Sequence, residues 1–378
     1  MPLAPRRLVI AGTVLSLALG AAACGGSSGS TGTAQGGSSS QASGGGGGGG
    51  TCKIALLLPE TKTTRYETQD RPDFTNKVRQ LDSSCNIDYY NAQQDQNQQQ
   101  SQAQTALSKG DNVLVLDAVN GDAAAGIVNV AKRQNVPVIA YDRLSSGAVT
   151  YYVSFDNKRV GQLQAQTLVS AMKKNGAKAG ADIVMINGSP DDPNAADFKA
   201  GAHSVLDKSG FKIAAEYDTQ GWDPTTAGQE MATAISKIGA AAIKGVYVAN
   251  DGMAAGAIAA MQHANMNPLP PTTGQDAQLD AIQRILAGQQ LMTVYKAIEP
   301  EASDAAQAAV NLAKGQKPNA KTTVTNKTSD KVPATLLTPV AVTASNVKDT
   351  VVKDGFWKPS QICTAQYKKY CQKYGIGS

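Results

Sequence analysis

The order of apolar segments predicts an α/β protein built on parallel sheets, and three observations carry that expectation. Short apolar runs recur with amphipathic, helix-period stretches between them, the pattern of strands alternating with helices. The runs are continuous rather than alternating, as strands covered on both faces must be. There are also too many of them for one comfortable sheet, so two sheets are expected, with the handover at a break in pattern over residues 145–156.

In chain order, Arg6 and Arg7 precede an apolar run over residues 8–23. That is the basic start and short apolar stretch of a secretory signal, and its sixteen residues fall short of the roughly 20 a permanent span needs. The run ends in Ala21-Ala22-Ala23-Cys24, which resembles the lipobox of bacterial lipoproteins, whose cysteine is lipidated and becomes the first mature residue. Leucine is commoner where Ala21 stands, and plain secretion with cleavage after an alanine is the alternative. Thirteen of the 37 glycines lie between Gly25 and Gly50. A Gly/Ser coil of that length reaches about 30 Å on average, a tether of use when one end is held. Removing the signal lowers the net charge from +5 to +3. With no dense basic cluster, there is no electrostatic case for nucleic acid.

The clearest expected strands are residues 54–58, 113–116, 138–141, 183–186, 246–249 and 292–295. Helices are expected over 123–134, 161–174, 197–208, 226–238 and 253–263, with Asp156 or Asn157, Asp223 and Asp251 as N-caps. The Gln-rich run at 93–104 reads as a solvated helix start. Residues 321–342 turn Thr- and Val-rich without helical period and read as strands and crossings; residues 358–378 read as a short surface helix. Apart from Cys24 there are four cysteines, Cys52, Cys85, Cys363 and Cys371, an even number that suits disulfides in an exported chain. Cys52 opens the first strand and Cys85 precedes the second, so neighbouring parallel strands would bring them to one sheet end. Cys52–Cys85 with Cys363–Cys371 is therefore the favoured of three pairings.

Ligands of open parallel sheets bind beyond the carboxyl ends of the strands, and polar residues gather there. Arg65 and Tyr66 follow the first strand, and Asp142-Arg143 the strand at 138–141. Asp191, Asp192 and Asn194 follow 183–186, Asn250-Asp251 follow 246–249, Gly274-Gln275-Asp276 come next, and Lys296 follows 292–295. Trp222 stands between a glycine and the expected cap Asp223. Carboxylates accept from hydroxyls, while Arg, Lys and Asn donate to them, and such charge-assisted bonds are about twice as strong as neutral ones. An indole or phenol can cover the C–H face of a sugar ring. Singly, each residue is explained as readily by an ion pair, a helix cap or the core; together at one edge they suggest a ligand dense in hydroxyls. No P-loop, dinucleotide fingerprint or nucleophile elbow occurs. With only His203 and His263 and no Cys-x-x-Cys, neither a metal site nor a cofactor is expected.

Several spaced motifs then carry a family resemblance. They are Arg65-Tyr66 with Gln69-Asp70-Arg71, Ala140-Tyr141-Asp142-Arg143, Val153-Ser154-Phe155-Asp156-Asn157 and Gly188-Ser189-Pro190. Gly221-Trp222, Gly274-Gln275-Asp276-Ala277, Thr293-Val294-Tyr295-Lys296, Leu336-Leu337-Thr338-Pro339 and residues 351–356 follow in order. From Cys52 to about Trp357 the chain resembles the periplasmic sugar-binding proteins of ABC importers, in particular the xylose-binding branch. The resemblance implies two Rossmann-like lobes with parallel sheets joined by a three-segment hinge, the type I periplasmic binding protein fold. It implies discontinuous lobes: residues 52–154 with 297–316, and 155–296 with 317–357, followed by the tail 358–378. Carried over position by position, Arg65, Asp142 and Arg143 would bind sugar hydroxyls from the first lobe. Asp192, Asn194, Asn250, Asp276 and Lys296 would do so from the second lobe and hinge, with Trp222 and Tyr66 stacking on opposite ring faces. Tryptophan is commoner in the family where Tyr66 stands, and asparagine where Pro193 stands, which bears on specificity. The implied role is a lipid-anchored, monomeric, non-catalytic receptor passing a monosaccharide, xylose first, to an ABC permease. A sugar sensor acting with a membrane kinase would use the same pocket. A glycosidase would need a poised acid–base pair, whereas here Arg and Lys are expected to keep the carboxylates ionised.

Overall fold

The computed structural model describes residues 51–377; the expected signal, Cys24 and the glycine-rich tether through Gly50 lie outside the described residues. The chain opens with β1 (Lys53–Leu58), α1 (Arg71–Leu81), β2 (Asn86–Asn91), α2 (Gln96–Lys109), β3 (Val113–Leu116), α3 (Ala125–Arg133), β4 (Val138–Tyr141) and β5 (Tyr151–Phe155). It continues with α4 (Asn157–Lys174), β6 (Asp182–Asn187), α5 (Pro193–Leu206), β7 (Lys212–Asp218), α6 (Pro224–Ile238), β8 (Ile243–Val248), α7 (Asp251–His263), α8 (Leu279–Leu286) and β9 (Thr293–Tyr295). Then come α9 (Ile298–Ala313), β10 (Thr322–Val324), β11 (Val332–Leu337), β12 (Val340–Val342), α10 (Pro359–Ile362) and α11 (Lys368–Lys373).

The first sheet runs β10-β11-β5-β4-β3-β1-β2, parallel throughout except for the antiparallel β10 at its edge. Its central strands are apolar on both sides because both faces are covered. Ile54, Leu56 and Val113 pack with Phe74 and Val78 of α1 and the alanines of α9. Ala55, Leu57 and Leu114 pack with Leu107 of α2 and with Ile127 and Val128 of α3. The second sheet, β7-β6-β8, is parallel, and bridges Val246–Thr272 and Gln275–Val294 carry it on to the antiparallel β9–β12 pair. Ile183, Met185, Leu168, Phe198, Met231 and Met261 share its core. Helices α4 and α5 meet backbone to backbone there: a Cβ on Gly161 would lie 1.9 Å from the Phe198 carbonyl oxygen, so no larger residue fits.

The chain passes between the two sheets three times: at Asp156 between β5 and α4, at Lys296-Ala297 between β9 and α9, and at Thr338-Pro339 between β11 and β12. The expected assignment of all of 317–357 to the second half needs correction. β11 pairs with β5 and β10 with β11, both in the first sheet, and only from β12 onward does the chain rejoin the second. The cause is local: β11 presents Val332 and Ala334 to the first core, a short alternation that does not reveal which sheet will receive it.

Both expected disulfides form, Cys52–Cys85 and Cys363–Cys371. The β1–β2 register pairs Lys53 with Asn86, which sets the preceding cysteines side by side. In the chain-entropy account, closing the 33-residue separation stabilises the fold by about 4 kcal/mol. Asp156 and Asp223 cap their helices as expected. Asn250, not Asp251, caps α7, accepting from the Met253 N–H at 2.9 Å; Asp251 turns inward instead. The Gln-rich segment is less solvated than expected, because Gln99 is buried and donates to the Asp117 carbonyl at 2.7 Å. The tail forms two short helices, α10 and α11, stapled by Cys363–Cys371 over a core with Trp357 and Ile362. Among the described residues, no helix is long and apolar enough to cross a membrane.

Candidate ligand-binding site

The carboxyl ends of both sheets converge on one small cavity lined by buried side chains. All ten residues singled out in the sequence line it: Arg65, Tyr66, Asp142, Arg143, Asp192, Asn194, Trp222, Asn250, Asp276 and Lys296. Thr63, Phe198 and Gln275 line it as well. The strand–turn–helix connections account for the placement. Asp142 and Arg143 leave the end of β4, Asp192 and Asn194 open α5, Trp222 follows β7, and Asn250 caps α7. Lys296 occupies the second crossing. Three of these residues hold left-handed backbone, Asp142 at φ 55°, Trp222 at 54° and Asp276 at 91°. Such conformations cost of order 1–3 kcal/mol each and gather at functional sites.

The cavity wall is an ion cluster. Arg65 grips Asp70 with two bonds, Nε to Oδ2 at 2.9 Å and Nη2 to Oδ1 at 2.6 Å. Its Nη2 also donates to Glu301 Oε2 at 2.8 Å, and Nη1 lies 3.4 Å from Asp142. The Tyr141 hydroxyl completes the group by donating to Asp70. Arg143 Nε sits 2.8 Å from Asp192 and 3.4 Å from Asp117, and Nη1 donates to the Ala118 carbonyl at 3.1 Å. Lys296 lies between Asp276 at 3.2 Å and Asp142 at 3.8 Å. All of these side chains are buried.

Three cations thus face six carboxyls, and burial and the cations pull on these carboxyls in opposite directions. Burial pushes the Asp142 carboxyl up, but Arg65, Lys296 and Arg143 outweigh burial and hold it at about 2. For Asp192 burial outweighs Arg143 and raises it. Burial lifts Asp117 and Glu301 well above the ordinary range, against the pull of Arg143 and Arg65 respectively. Gln275 Oε1 is buried without a hydrogen-bond partner among the described residues, while Arg65 Nη1 and Asp276 Oδ1 meet only their ion-pair partners Asp142 and Lys296.

One wall is aromatic. The Trp222 indole packs against Gly188, where a Cβ would come within 2.0 Å of the ring, and its Nε1–H donates to Asp192 at 3.1 Å. Phe198 meets Trp222 edge-on at 6.2 Å between centroids. Behind this wall Asp251 ties the loops together. It accepts from Gln290 Nε2 at 2.7 Å, Thr293 Oγ1 at 2.8 Å and the Gln278 N–H at 3.0 Å.

Asp117 could have been found by the strand-end rule, since it directly follows β3. Asp70 stands inside a quoted motif. Glu301 looks like an ordinary acid in the first turn of a helix, and Phe198 sits on the apolar side of α5, so neither carried a signal of its own.

Two parallel sheets joined by three crossings, closing an ion-lined cavity at their facing strand ends, define a two-sheet α/β receptor for a small polar molecule. The periplasmic binding protein domain matches residues 54–317, and the chain belongs to that family. It is 37% identical over 315 residues to the D-xylose-binding periplasmic protein of Escherichia coli (strain K12), covering 82% of this chain and 92% of that protein. It is 34% identical over 309 residues to the multiple sugar-binding periplasmic receptor ChvE of Rhizobium radiobacter, covering 77% and 87% respectively. Among solved structures, an ABC transporter solute-binding protein from Clostridium phytofermentans with bound β-D-glucose superposes with a TM-score of 0.75 at 28% identity. The match covers 82% of this chain and 99% of that one. The fold and family are those of binding proteins, not of enzymes.

Proposed function

We propose that this protein is an extracytoplasmic receptor that encloses one monosaccharide, D-xylose first, and delivers it to an ABC permease while a lipid on Cys24 holds it to the membrane. The observation that carries the reading is the convergence of the ten strand-end residues on a single cavity lined by buried side chains. Ionised Asp142 and the Asp276 carboxyl accept from hydroxyls; Arg65, Lys296, Asn194 and Asn250 donate to them; Trp222 and Phe198 cover a C–H face. A buried polar atom without a hydrogen bond, such as Gln275 Oε1, costs about 1–3 kcal/mol, and a hydroxylated ligand would supply its partner. The xylose-binding and multiple-sugar-binding relatives support the ligand class, and the family supports the partnership with a permease and a location outside the cytoplasm. The Ala21-Ala22-Ala23-Cys24 run and the glycine-rich tether support the anchor. The halves meeting at the cavity would open and close about the three crossings.

Calorimetric titration with pentoses and hexoses tests the reading. Saturable binding of an intact monosaccharide is expected, lost in Trp222→Ala and in Asp276→Ala. No binding across the panel refutes it, as does turnover of a glycoside. Mass spectrometry of the membrane-extracted protein tests the lipid.

A further inference from the structure

The resemblance implies that Tyr66 stacks on the ligand, but in the structure its hydroxyl group is the part most closely engaged. Tyr66 begins a single π-helical turn, Tyr66–Asp70, directly after Arg65, and its side chain is buried. The ring lies near two guanidinium groups, Arg65 at 5.4 Å and Arg143 at 5.8 Å from the centroid. The hydroxyl reaches past them. It accepts from Arg143 Nη2 at 3.1 Å and donates to Asp142 Oδ2 at 3.3 Å.

The direction of both bonds is set by chemistry. A guanidinium can only donate and a carboxylate can only accept, and Asp142 is ionised because Arg65, Lys296 and Arg143 hold it low. Burial lifts the Tyr66 hydroxyl well above its ordinary range, so it keeps its proton. A group joining Arg143 to Asp142 must accept on one side and donate on the other. A hydroxyl does both; an indole N–H cannot accept, and a phenyl ring can do neither. A sugar hydroxyl caught between the same two residues would make the same pair of bonds.

We propose that the Tyr66 hydroxyl occupies one hydroxyl position of the binding site, so that the protein itself bridges Asp142 and Arg143 and excludes a ligand carbon bearing a hydroxyl there. This role presupposes that the cavity takes a sugar, as proposed above. It makes Tyr66 a specificity-determining residue: the cavity suits a five-carbon sugar and rejects a six-carbon sugar whose extra hydroxymethyl group points at the Asp142–Arg143 pair.

The test compares D-xylose with D-glucose, which differs from it by one hydroxymethyl group on the ring. Both are titrated by calorimetry into the wild type and into Tyr66→Phe, which keeps the ring and removes only the hydroxyl. The wild type should bind xylose at least ten-fold more tightly than glucose. In Tyr66→Phe, xylose should weaken while glucose gains relative to it, so that the glucose-to-xylose Kd ratio falls at least ten-fold. A ratio that stays within about three-fold of the wild type's, with either sugar still bound, overturns the inference and leaves the sugar-binding reading intact. Should Tyr66→Phe fail to fold, the wild-type measurement decides by itself, since glucose bound as tightly as xylose overturns the proposal. Absence of binding of any sugar to the wild type overturns the sugar-binding reading and this inference with it.

Discussion

Two ion pairs join the same two halves of the molecule at the same distance, and their surroundings give them opposite worth. Arg143–Asp192 spans the cavity at 2.8 Å with side chains 2% and 4% exposed. Lys62–Asp223 spans the rim at 2.8 Å with side chains 47% and 28% exposed. In the interior a charge stripped of its partner has no water to turn to, and breaking such a pair costs about 3–5 kcal/mol. At the rim water and salt take the partner's place, and exposed pairs contribute about 0–1 kcal/mol. Distance alone therefore says nothing about which contact matters. The buried pair also carries neighbours: Asp192 caps α5 through the Asn194 N–H at 2.8 Å and accepts from Trp222. Asp192→Ala should thus have the largest effect, destabilising the fold by about 3–5 kcal/mol in denaturant unfolding and abolishing sugar binding. A loss below about 1 kcal/mol would place the interior pair in the same class as the rim pair.

Next comes the aromatic wall on the same side of the cavity. Trp222→Ala removes a ring packed on Gly188 and Phe198, a change worth about 3–5 kcal/mol in a well-packed core. Its left-handed backbone, which alanine tolerates no better, gives nothing back. Enlarging Gly188 should be nearly as damaging, since the indole occupies the space a Cβ would need.

A third effect is read from pH. Burial pushes Asp251 up to about 8 from an ordinary value of 3.8, against Arg284 and the donors Gln290, Thr293 and Gln278. The folded state then keeps a proton that the unfolded chain releases near pH 4. That contribution is complete below pH 4 and is lost progressively as the pH rises toward 8. Asp251→Asn cannot ionise, so its Tm should decline less than the wild type's between pH 4 and 8, by several degrees, with parallel curves above 8. Curves parallel over the whole range would mean that Asp251 is ionised throughout and that its three donors outweigh burial.

The comparison of interior and rim also explains what could be read in the sequence. Strands such as β3 and β4 were legible because burial on both faces writes an unbroken apolar run. β7 was not, because it stands at a sheet edge and is only partly buried, and β2, also a partly buried edge strand, is marked only by the cysteine before it. β5 was hidden in the segment taken as a break, and β11 gave no sign of which sheet would receive it. The ten cavity residues were legible because topology forces whatever follows each strand toward one edge. Residues reaching the cluster from helices, Asp70 and Glu301, obey no such rule. Asn250 and Asp251 show the limit: both can cap a helix, and only the packing of Gln290 and Thr293 against Asp251 decides which one turns inward.

The smallest expected effect belongs to the rim. Lys62→Ala should change stability by no more than about 1 kcal/mol, an effect that shrinks further in high salt because exposed charges are screened. Like the interior pair, the rim contacts exist only while the two halves are together, but the side chains of Lys62, Asn120 and Asp223 do not line the cavity. Besides Lys62–Asp223, Asn120 Nδ2 donates to Asp191 Oδ1 at 2.7 Å, and the Gly121 N–H donates to the Asp191 carbonyl at 3.1 Å. If the halves part to release a sugar, removing rim contacts should speed dissociation without touching the atoms that hold the ligand. Stopped-flow measurement of the Lys62→Ala, Asn120→Ala double variant should show an off-rate raised several-fold with the order of sugar preferences unchanged. An altered preference would mean that the rim shapes the cavity, and an unaltered off-rate would mean that the interior ions alone hold the halves closed.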